Sequence, residues 1–200
     1  MNSKNEQISP VLEFFITANE YCKLLEFSNH ANKLSFISKI QKILSFVYLK
    51  ASLLVKPDEL EDGELEKFVQ EEDWEYIKTS VAKILGSSDR YIEIILPENL
   101  DPENYENVSL SECFADIYQD LKEFVTTYEI GNQQSIQLAL FECLLNFEKF
   151  WGPRLLSGLS YLHNLLYSSE LYDEDELKDN DQNNQEIDTS NWLINQRFNE

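Results

Sequence analysis

The sequence contains few of the residues that mark turn-rich folds, disulfide frameworks or catalytic sites. Among its 200 residues are five glycines, five prolines, three cysteines and two histidines. All-β folds need many turns and usually more glycine and proline, so this scarcity favours long helices joined by few loops. No period of about 20–50 residues repeats, which excludes a solenoid. Because 42% of the residues are apolar, the chain can still build the core of one domain with appendages.

The three cysteines, Cys22, Cys113 and Cys143, lie far apart and lack the spacing of a metal site. Their odd number does not suit a disulfide framework. Each falls on an apolar helical stripe, where a free cysteine behaves as a small hydrophobic residue. We therefore expect reduced thiols, as in a cytosolic protein.

No segment of the sequence has the character of a leader or a membrane span. Met1 to Pro10 is polar and lacks the apolar core of a signal peptide. The most apolar stretch, 43–55, is interrupted by Ser45, Lys50 and Ser52 and is too short to cross a bilayer. The sequence therefore predicts a cytoplasmic protein that does not bind membranes.

Basic residues are also scarce, with 16 against 37 acidic ones, which leaves a formal net charge of −21. Such a charge repels nucleic-acid phosphates and anionic membranes, and no nucleic-acid-binding motif is present. The densest basic stretch, Lys33 to Lys50, has only four spaced lysines. Negative charge does accelerate encounters with basic proteins, so we expect a protein partner that is basic or apolar, and no nucleic-acid partner.

Apolar residues recur at intervals of three and four along most of the chain, which predicts an all-α helical bundle of about six helices. Between the third and fourth helices, 87–108, the pattern fails. Tyr91 to Leu96 could be a short strand or an irregular segment, and Pro97 and Pro102 mark the rest as a loop. Gly152-Pro153 should break the chain between the last two helices. The predicted helices are 10–27, 32–54, 71–85, 110–130, 133–150 and 153–167.

The composition changes after the predicted bundle, which takes in residues 1–168. Residues 169–188 hold nine acids and one base. Such a segment buries too little apolar surface to offset the entropy lost on ordering, so the composition predicts a disordered acidic linker. Residues 189–200 then form a short apolar segment. Three roles remain open for this segment: it docks on the domain, it binds another protein, or it has no function. Its candidate partner-binding residues are Trp192, Leu193, Ile194, Arg197 and Phe198.

No nucleotide-binding loop, nucleophile elbow or zinc-type spacing is present, so we predict no catalytic residue, no metal ligand and no cofactor. Ser109 to Glu112 reads as a capping box for the fourth helix. Asp116 and Asp120 follow near the margin of its apolar face, where a carboxylate needs a partner. An interhelical ion pair is the simplest role, and a site for a cation or for proton transfer is the alternative. The candidate polar cluster is Asp116, Asp120, Glu142, Arg154 and His163.

The same region carries a resemblance to a known family. The segment Ala115-Asp116-Ile117-Tyr118-Gln119-Asp120-Leu121-Lys122, opened by Ser109-Leu110-Ser111, is similar to the signature of the bacterial domain of unknown function family 5063. The resemblance extends over roughly residues 11–166. It also includes Glu20-Tyr21-Cys22, Trp74, Leu85-Gly86, Asp89, Tyr91, Trp151-Gly152 and Leu162-His163.

This resemblance implies a helical bacterial protein, of a family common in Bacteroidetes, and implies no reaction. The chain departs from the family pattern at three positions. Gln119 stands where a basic residue is expected, Phe150 where a histidine is expected, and Leu144 where an arginine is expected. A polar site built on those groups would be incomplete here, which weakens an enzymatic interpretation.

The sequence therefore favours an interaction or regulatory module without catalysis of its own. An alternative is a metal-binding or small enzymatic bundle using Asp116, Asp120, Glu142 and His163, because bundles build such sites from facing helices. A third hypothesis is nucleic-acid mimicry by acids arrayed on one face. The sequence leaves the oligomeric state open.

Overall fold

The chain folds as an all-α helical bundle, with one two-stranded sheet among the residues described. The computed structural model describes residues 9–29, 31–57, 65–94 and 105–167. The strands are β1 (Arg90–Ile94) and β2 (Tyr105–Ser109). The helices are α1 (Pro10–Glu26), α2 (Lys33–Ser52), α3 (Glu71–Leu85), α4 (Leu110–Ile130), α5 (Gln133–Asn146) and α6 (Gly152–Tyr167).

Helix α4 is central to the bundle and packs against α1, α3 and α5. Its apolar stripe, from Leu110 to Val125, is buried, which is what an amphipathic helix with apolar residues three and four apart requires. The Tyr21 hydroxyl of α1 donates to the carbonyl of Phe114 at 2.9 Å inside this core. All three cysteines are buried and free, as the sequence predicted.

Short polar side chains begin several helices. Asn32 precedes α2 and accepts from the Ser35 amide at 3.0 Å, and Asn132 caps α5 in the same way. Gly86 follows α3 with a φ of 57°, a conformation that glycine adopts at little cost. These residues place the helix ends within one or two positions of the predicted ones.

The prediction of a loop before α4 was partly wrong, because residues 105–109 form a strand. Strands β1 and β2 pair in antiparallel register, with Arg90 opposite Ser109 and Ile94 opposite Tyr105. The possible strand near Tyr91 is therefore real, but the sequence missed its partner. A five-residue strand has little signal of its own, because its hydrogen bonds come from a segment more than ten positions away.

The predicted break at Gly152-Pro153 was also wrong. A π-helical turn, Phe147–Trp151, joins α5 to α6, and the Gly152 amide bonds to the carbonyl of Phe147. The wider turn accommodates a proline near the start of α6, where its ring would otherwise clash with a preceding carbonyl. Across the residues that the structure describes, the bundle therefore has five continuous helices rather than six.

Several sequence predictions concern residues outside the described ranges. They include the predicted acidic linker 169–188 and the predicted apolar segment 189–200 with Trp192 and Phe198. Among the helices that are described, none has both the length and the hydropathy that a bilayer-crossing segment needs.

Candidate functional site

The predicted polar cluster is centred on Asp116, which α4 presents to both α3 and α6. The indole Nε1 of Trp74 donates to its Oδ1 at 3.0 Å, and the Arg154 guanidinium pairs with its Oδ2. The guanidinium also lies 4.4 Å from the ring centroid of Phe150, a cation–π distance. One carboxylate thus connects three helices. The pair with Arg154 is the kind of interhelical ion pair that the sequence predicted, and the contact with Trp74 was not predicted.

Lys78 also contacts Trp74, over the face of the indole ring. Its ammonium lies 4.9 Å from the ring centroid and 3.1 Å from the carboxylate of Glu112. The predicted capping box is therefore only half formed: Ser109 accepts from the Glu112 amide at 3.3 Å, but the Glu112 carboxylate binds Lys78. The hydrogen bond to Glu112 raises the pKa of Lys78.

The two described tryptophans differ in burial. Trp151 is fully buried and donates to the carbonyl of Cys143 at 3.1 Å. Trp74 is only half-buried, because its indole N–H faces Asp116 at the margin of α4. Burial raises the pKa of Asp116, and the hydrogen bond from Trp74 and the charge of Arg154 counteract part of that effect. Trp74 and Arg154 thus favour the ionised form of the carboxyl group, while burial disfavours it.

Asp120 lies one helical turn further along α4 in a different environment. Its Oδ1 accepts from the Asn146 amide at 2.7 Å. Burial raises its pKa to about 6, and the Asn146 hydrogen bond and Lys67 limit the rise. It lines a pocket of about 20 Å³ together with Glu142, which pairs with Lys67 at 3.2 Å. This volume accommodates about one water molecule.

The structure therefore divides the five predicted residues. Asp116 lies with Arg154, Asp120 lies with Glu142, and His163 is exposed on α6. Within the described ranges, no three His, Cys, Asp or Glu side chains are placed to hold one metal ion. Every buried side-chain nitrogen and oxygen in the described ranges has a hydrogen-bond partner. The polar cluster therefore holds helices together and presents no unsatisfied group.

Sequence reasoning missed a larger cleft bounded by α1, α3, α4 and the segment before α3. Its volume is about 330 Å³, near the lower end for small-molecule pockets. Phe68, Val69 and Ile77 form its apolar lining. Its polar lining consists of Glu26, Asp73, Tyr76, Tyr118 and Lys122.

Glu26 is the centre of the hydrogen bonding in this cleft. Its Oε1 accepts from the Tyr118 hydroxyl at 2.9 Å and from the Lys122 ammonium at 2.7 Å. Burial and the charge of Glu26 raise the pKa of Tyr118, so its hydroxyl keeps its proton. Burial lowers the pKa of the Lys122 ammonium, but the hydrogen bond to Glu26, the charge of Glu26 and the other nearby groups together leave this pKa raised.

Glu123 positions the segment that forms one wall of the cleft. Its carboxylate accepts from the amide of Phe68 at 3.0 Å and from the amide of Val69 at 3.0 Å. These bonds satisfy backbone donors that have no helical partner, because residues 65–70 precede α3. The spacing of Tyr118 and Lys122 on one side of α4 was visible in the sequence, but their partners on other elements were not.

The comparisons with known proteins agree with this fold. The family described as Domain of unknown function (DUF5063) matches residues 7–168. The chain belongs to the DUF5063 family. This confirms the resemblance found in the sequence.

The DUF5063 fold is also present in a solved structure. The chain is similar to the crystal structure of protein BF1032 from Bacteroides fragilis, a Northeast Structural Genomics Consortium target. The two are 34% identical with a TM-score of 0.70, over 80% of this chain and 94% of that one. No curated protein has significant sequence similarity to the chain.

The three departures from the expected DUF5063 pattern now have positions in the structure. Leu144, where an arginine was expected, is 3% exposed and part of the core. Phe150, where a histidine was expected, lies beneath the Arg154 guanidinium. Gln119 is exposed on α4. A core leucine and a stacked phenylalanine cannot supply polar chemistry, so Leu144 and Phe150 contribute packing in this chain.

Proposed function

We propose that this DUF5063 protein is a protein-interaction module without catalysis of its own, and that its cleft receives a basic side chain of the partner. The observation that carries the proposal is the lining of the 330 Å³ cleft: Glu26 and Asp73 supply two carboxylates, and Lys122 supplies one ammonium. The remaining negative charge suits a lysine or arginine. Tyr76 and Tyr118 add aromatic rings that favour a cation.

The charge of the whole chain supports the same class of partner. A net charge of −21 attracts basic proteins from a distance and accelerates their encounter. The cleft then supplies the local recognition, because a bound ammonium or guanidinium can replace or join Lys122 at Glu26. The other polar groups near α4 support a non-catalytic function, since Asp116 and Asp120 bind Trp74, Arg154 and Asn146.

Titration with a lysine-containing tetrapeptide, followed by NMR, tests the cleft directly. The full chain should show amide shifts around Asp73 and Tyr118 with that peptide, and at least five-fold weaker binding when norleucine replaces the lysine. Combining Glu26→Gln with Asp73→Asn should remove the preference for lysine, whereas Glu129→Gln, on the exposed end of α4, should preserve it. Equal binding of both peptides by the folded wild type would contradict the proposal.

The C-terminal segment with Trp192, Ile194 and Phe198 is a second part of this proposal. Large apolar side chains beyond a run of acids are costly to leave in water, and a partner protein would cover them. Affinity capture with the full chain and with a chain ending at Ser169 tests this idea. Loss of a specific partner on truncation supports it, and identical partners for both chains would refute it.

Metal binding is the second candidate function, favoured by the pocket that Asp120 and Glu142 share. Asp120 with a pKa of about 6 could also exchange a proton near neutral pH. Elemental analysis of the purified chain decides between the candidates. Stoichiometric metal that is lost on Asp120→Asn would favour this function over a purely interacting one, and substoichiometric metal would exclude it.

A further inference from the structure

Helix α2 has the opposite charge to the rest of the protein. It contains Lys33, Lys39, Lys42 and Lys50 and no acidic residue, in a chain whose net charge is −21. Lys50 pairs with Glu13 of α1 at 2.7 Å. Lys39 and Lys42 instead lie on the exposed side of the helix, where they create a local basic surface.

The same exposed side carries large apolar side chains. Phe46 is 56% exposed and Leu49 48%, and Leu53, the C-cap residue directly after the helix, is 63% exposed. With Lys39 and Lys42 they recur at intervals of three and four. Because a helix rotates by about 100° per residue, all five residues fall within an arc of about 80° around the helix axis. We call these five residues the α2 stripe.

The α2 stripe is not needed for the core. The opposite side of α2 supplies the buried residues, Phe36, Ile37, Ile40, Leu44 and Val47, and packs against α1 and α3. An ordinary surface helix places polar residues opposite its buried side. Here three large apolar residues lie there instead, in the 3-4 spacing by which one helix packs against another.

We propose that the α2 stripe docks an amphipathic helix of a partner protein, and that this helix is acidic at the positions flanking its apolar seam. Phe46, Leu49 and Leu53 contact the seam, while Lys39 and Lys42 pair with the flanking carboxylates. The surface is separate from the α1–α3–α4 cleft and takes the opposite charge. The inference therefore goes beyond the proposed function, and the two together describe an adaptor with one basic and one acidic partner.

Charge also decides against a second copy of this chain as the occupant. In a symmetric antiparallel pair of α2 helices centred on Phe46, Lys42 would lie opposite Lys50 and Lys39 opposite Leu53. Helix α2 offers no carboxylate to either lysine. Like charges facing each other across a helix pair are unfavourable, so an acidic partner fits and a self-pair does not.

Two synthetic helical peptides of about three heptads each test the proposal. Both carry leucine at the seam positions, and one has glutamate and the other lysine at the flanking positions. Fluorescence anisotropy at about 0.15 M salt, where the Debye length is about 8 Å, measures binding to the full chain. The acidic peptide should bind at least ten-fold more tightly, although the net charge of the protein favours the basic one.

Variants on α2 provide the controls. Combining Lys39→Glu with Lys42→Glu should reverse the preference, and combining Phe46→Ser with Leu49→Ser should abolish binding of the acidic peptide. Lys83→Glu on α3 and Leu156→Ser on α6 change matched exposed residues and should leave binding unchanged.

Two results would overturn the inference. One is a preference for the basic peptide that survives the α2 variants, and the other is a dimer in sedimentation that dissociates on Phe46→Ser with Leu49→Ser. Neither depends on the cleft, because Glu26 and Asp73 stay intact in every α2 variant. A failure here would therefore leave the tetrapeptide experiment as a separate test of the proposed function.

Discussion

Trp74 and Asp116 form a hydrogen bond of 3.0 Å that leaves the second carboxylate oxygen of Asp116 to Arg154. Asp116→Ala removes the hydrogen-bond acceptor of Trp74 on α3 and the counter-ion of Arg154 on α6. Since hydrogen bonds to charged groups contribute about 1.5–3 kcal/mol, we expect the free energy of unfolding to fall by about 2 kcal/mol in urea denaturation. Glu129→Ala, an exposed change on the same helix, should alter it by less than about 0.5 kcal/mol. Equal effects of the two substitutions would show that the three-helix connection is unimportant.

Asp120 should make stability depend on pH. Burial raises its pKa from 3.8 to about 6, so the folded state binds this proton more tightly than the unfolded state. The resulting stabilisation is fully present below about pH 4 and is lost as the pH rises through about 6. Asp120→Asn should remove this dependence, so that the variant gains stability relative to the wild type between pH 4.5 and pH 8.

NMR titration of the Asp120 carboxyl carbon checks the cause of this effect. The midpoint should lie near pH 6 in the wild type. Asn146→Ala removes a hydrogen bond to the ionised form and should move the midpoint higher. A wild-type midpoint near the ordinary value for aspartate, about 3.9, would contradict the burial argument.

Glu123 should control the opening of the segment before α3. Glu123→Ala deprives the amides of Phe68 and Val69 of their acceptor. Hydrogen exchange at these two amides should become at least about ten-fold faster, which corresponds to about 1.4 kcal/mol of local stability. Exchange in the middle of α4 should not change. Unchanged exchange at Phe68 and Val69 would show that other contacts hold this wall of the cleft.

Two glycines of α6 should respond to alanine in opposite ways. A Cβ at Gly152 would collide with the carbonyl of Phe147 and lie 2.9 Å from its ring. Gly152→Ala should therefore destabilise the fold by about 1–3 kcal/mol, as overpacking does. At Gly158 the nearest atoms are Leu110 Cδ2 at 3.5 Å and Cys113 Sγ at 3.6 Å, an ordinary contact distance.

Gly158→Ala should consequently be neutral or stabilise the protein by up to about 1 kcal/mol, because alanine has the higher helix propensity. Thermal unfolding of both variants measures the contrast. A larger loss of stability at Gly158 than at Gly152 would mean that α6 packs differently against α4 or that the π-helical turn is absent.

Local patterns were enough to predict most of the helices. The spacing of apolar residues acts over one or two turns, so a single segment contains the whole signal. The errors concern features that depend on distant partners. Strand β2 pairs with β1, and the π-helical turn adjusts a helix around Pro153.

The candidate site was predicted only in part for the same reason. Helical periodicity placed Asp116 and Asp120 near the margin of α4, with Arg154 and His163 as candidate partners, and in the structure Arg154 pairs with Asp116. Periodicity could not show that Trp74 supplies the second hydrogen bond, that Asp120 binds Asn146, or that His163 is exposed. Each of these facts depends on the angle and offset at which two helices pack.

The sequence by itself therefore determined the helical character, the family and the strong negative charge of this protein, because composition and periodicity are local properties. Only the tertiary structure decided which charged groups lie against each other and which apolar residues stay exposed. Packing brings Glu26 of α1 to Tyr118 and Lys122 of α4. It also turns Phe46 outward, since the buried side of α2 already faces α1 and α3. Contacts between helices arise from geometry in three dimensions, and no single segment encodes them.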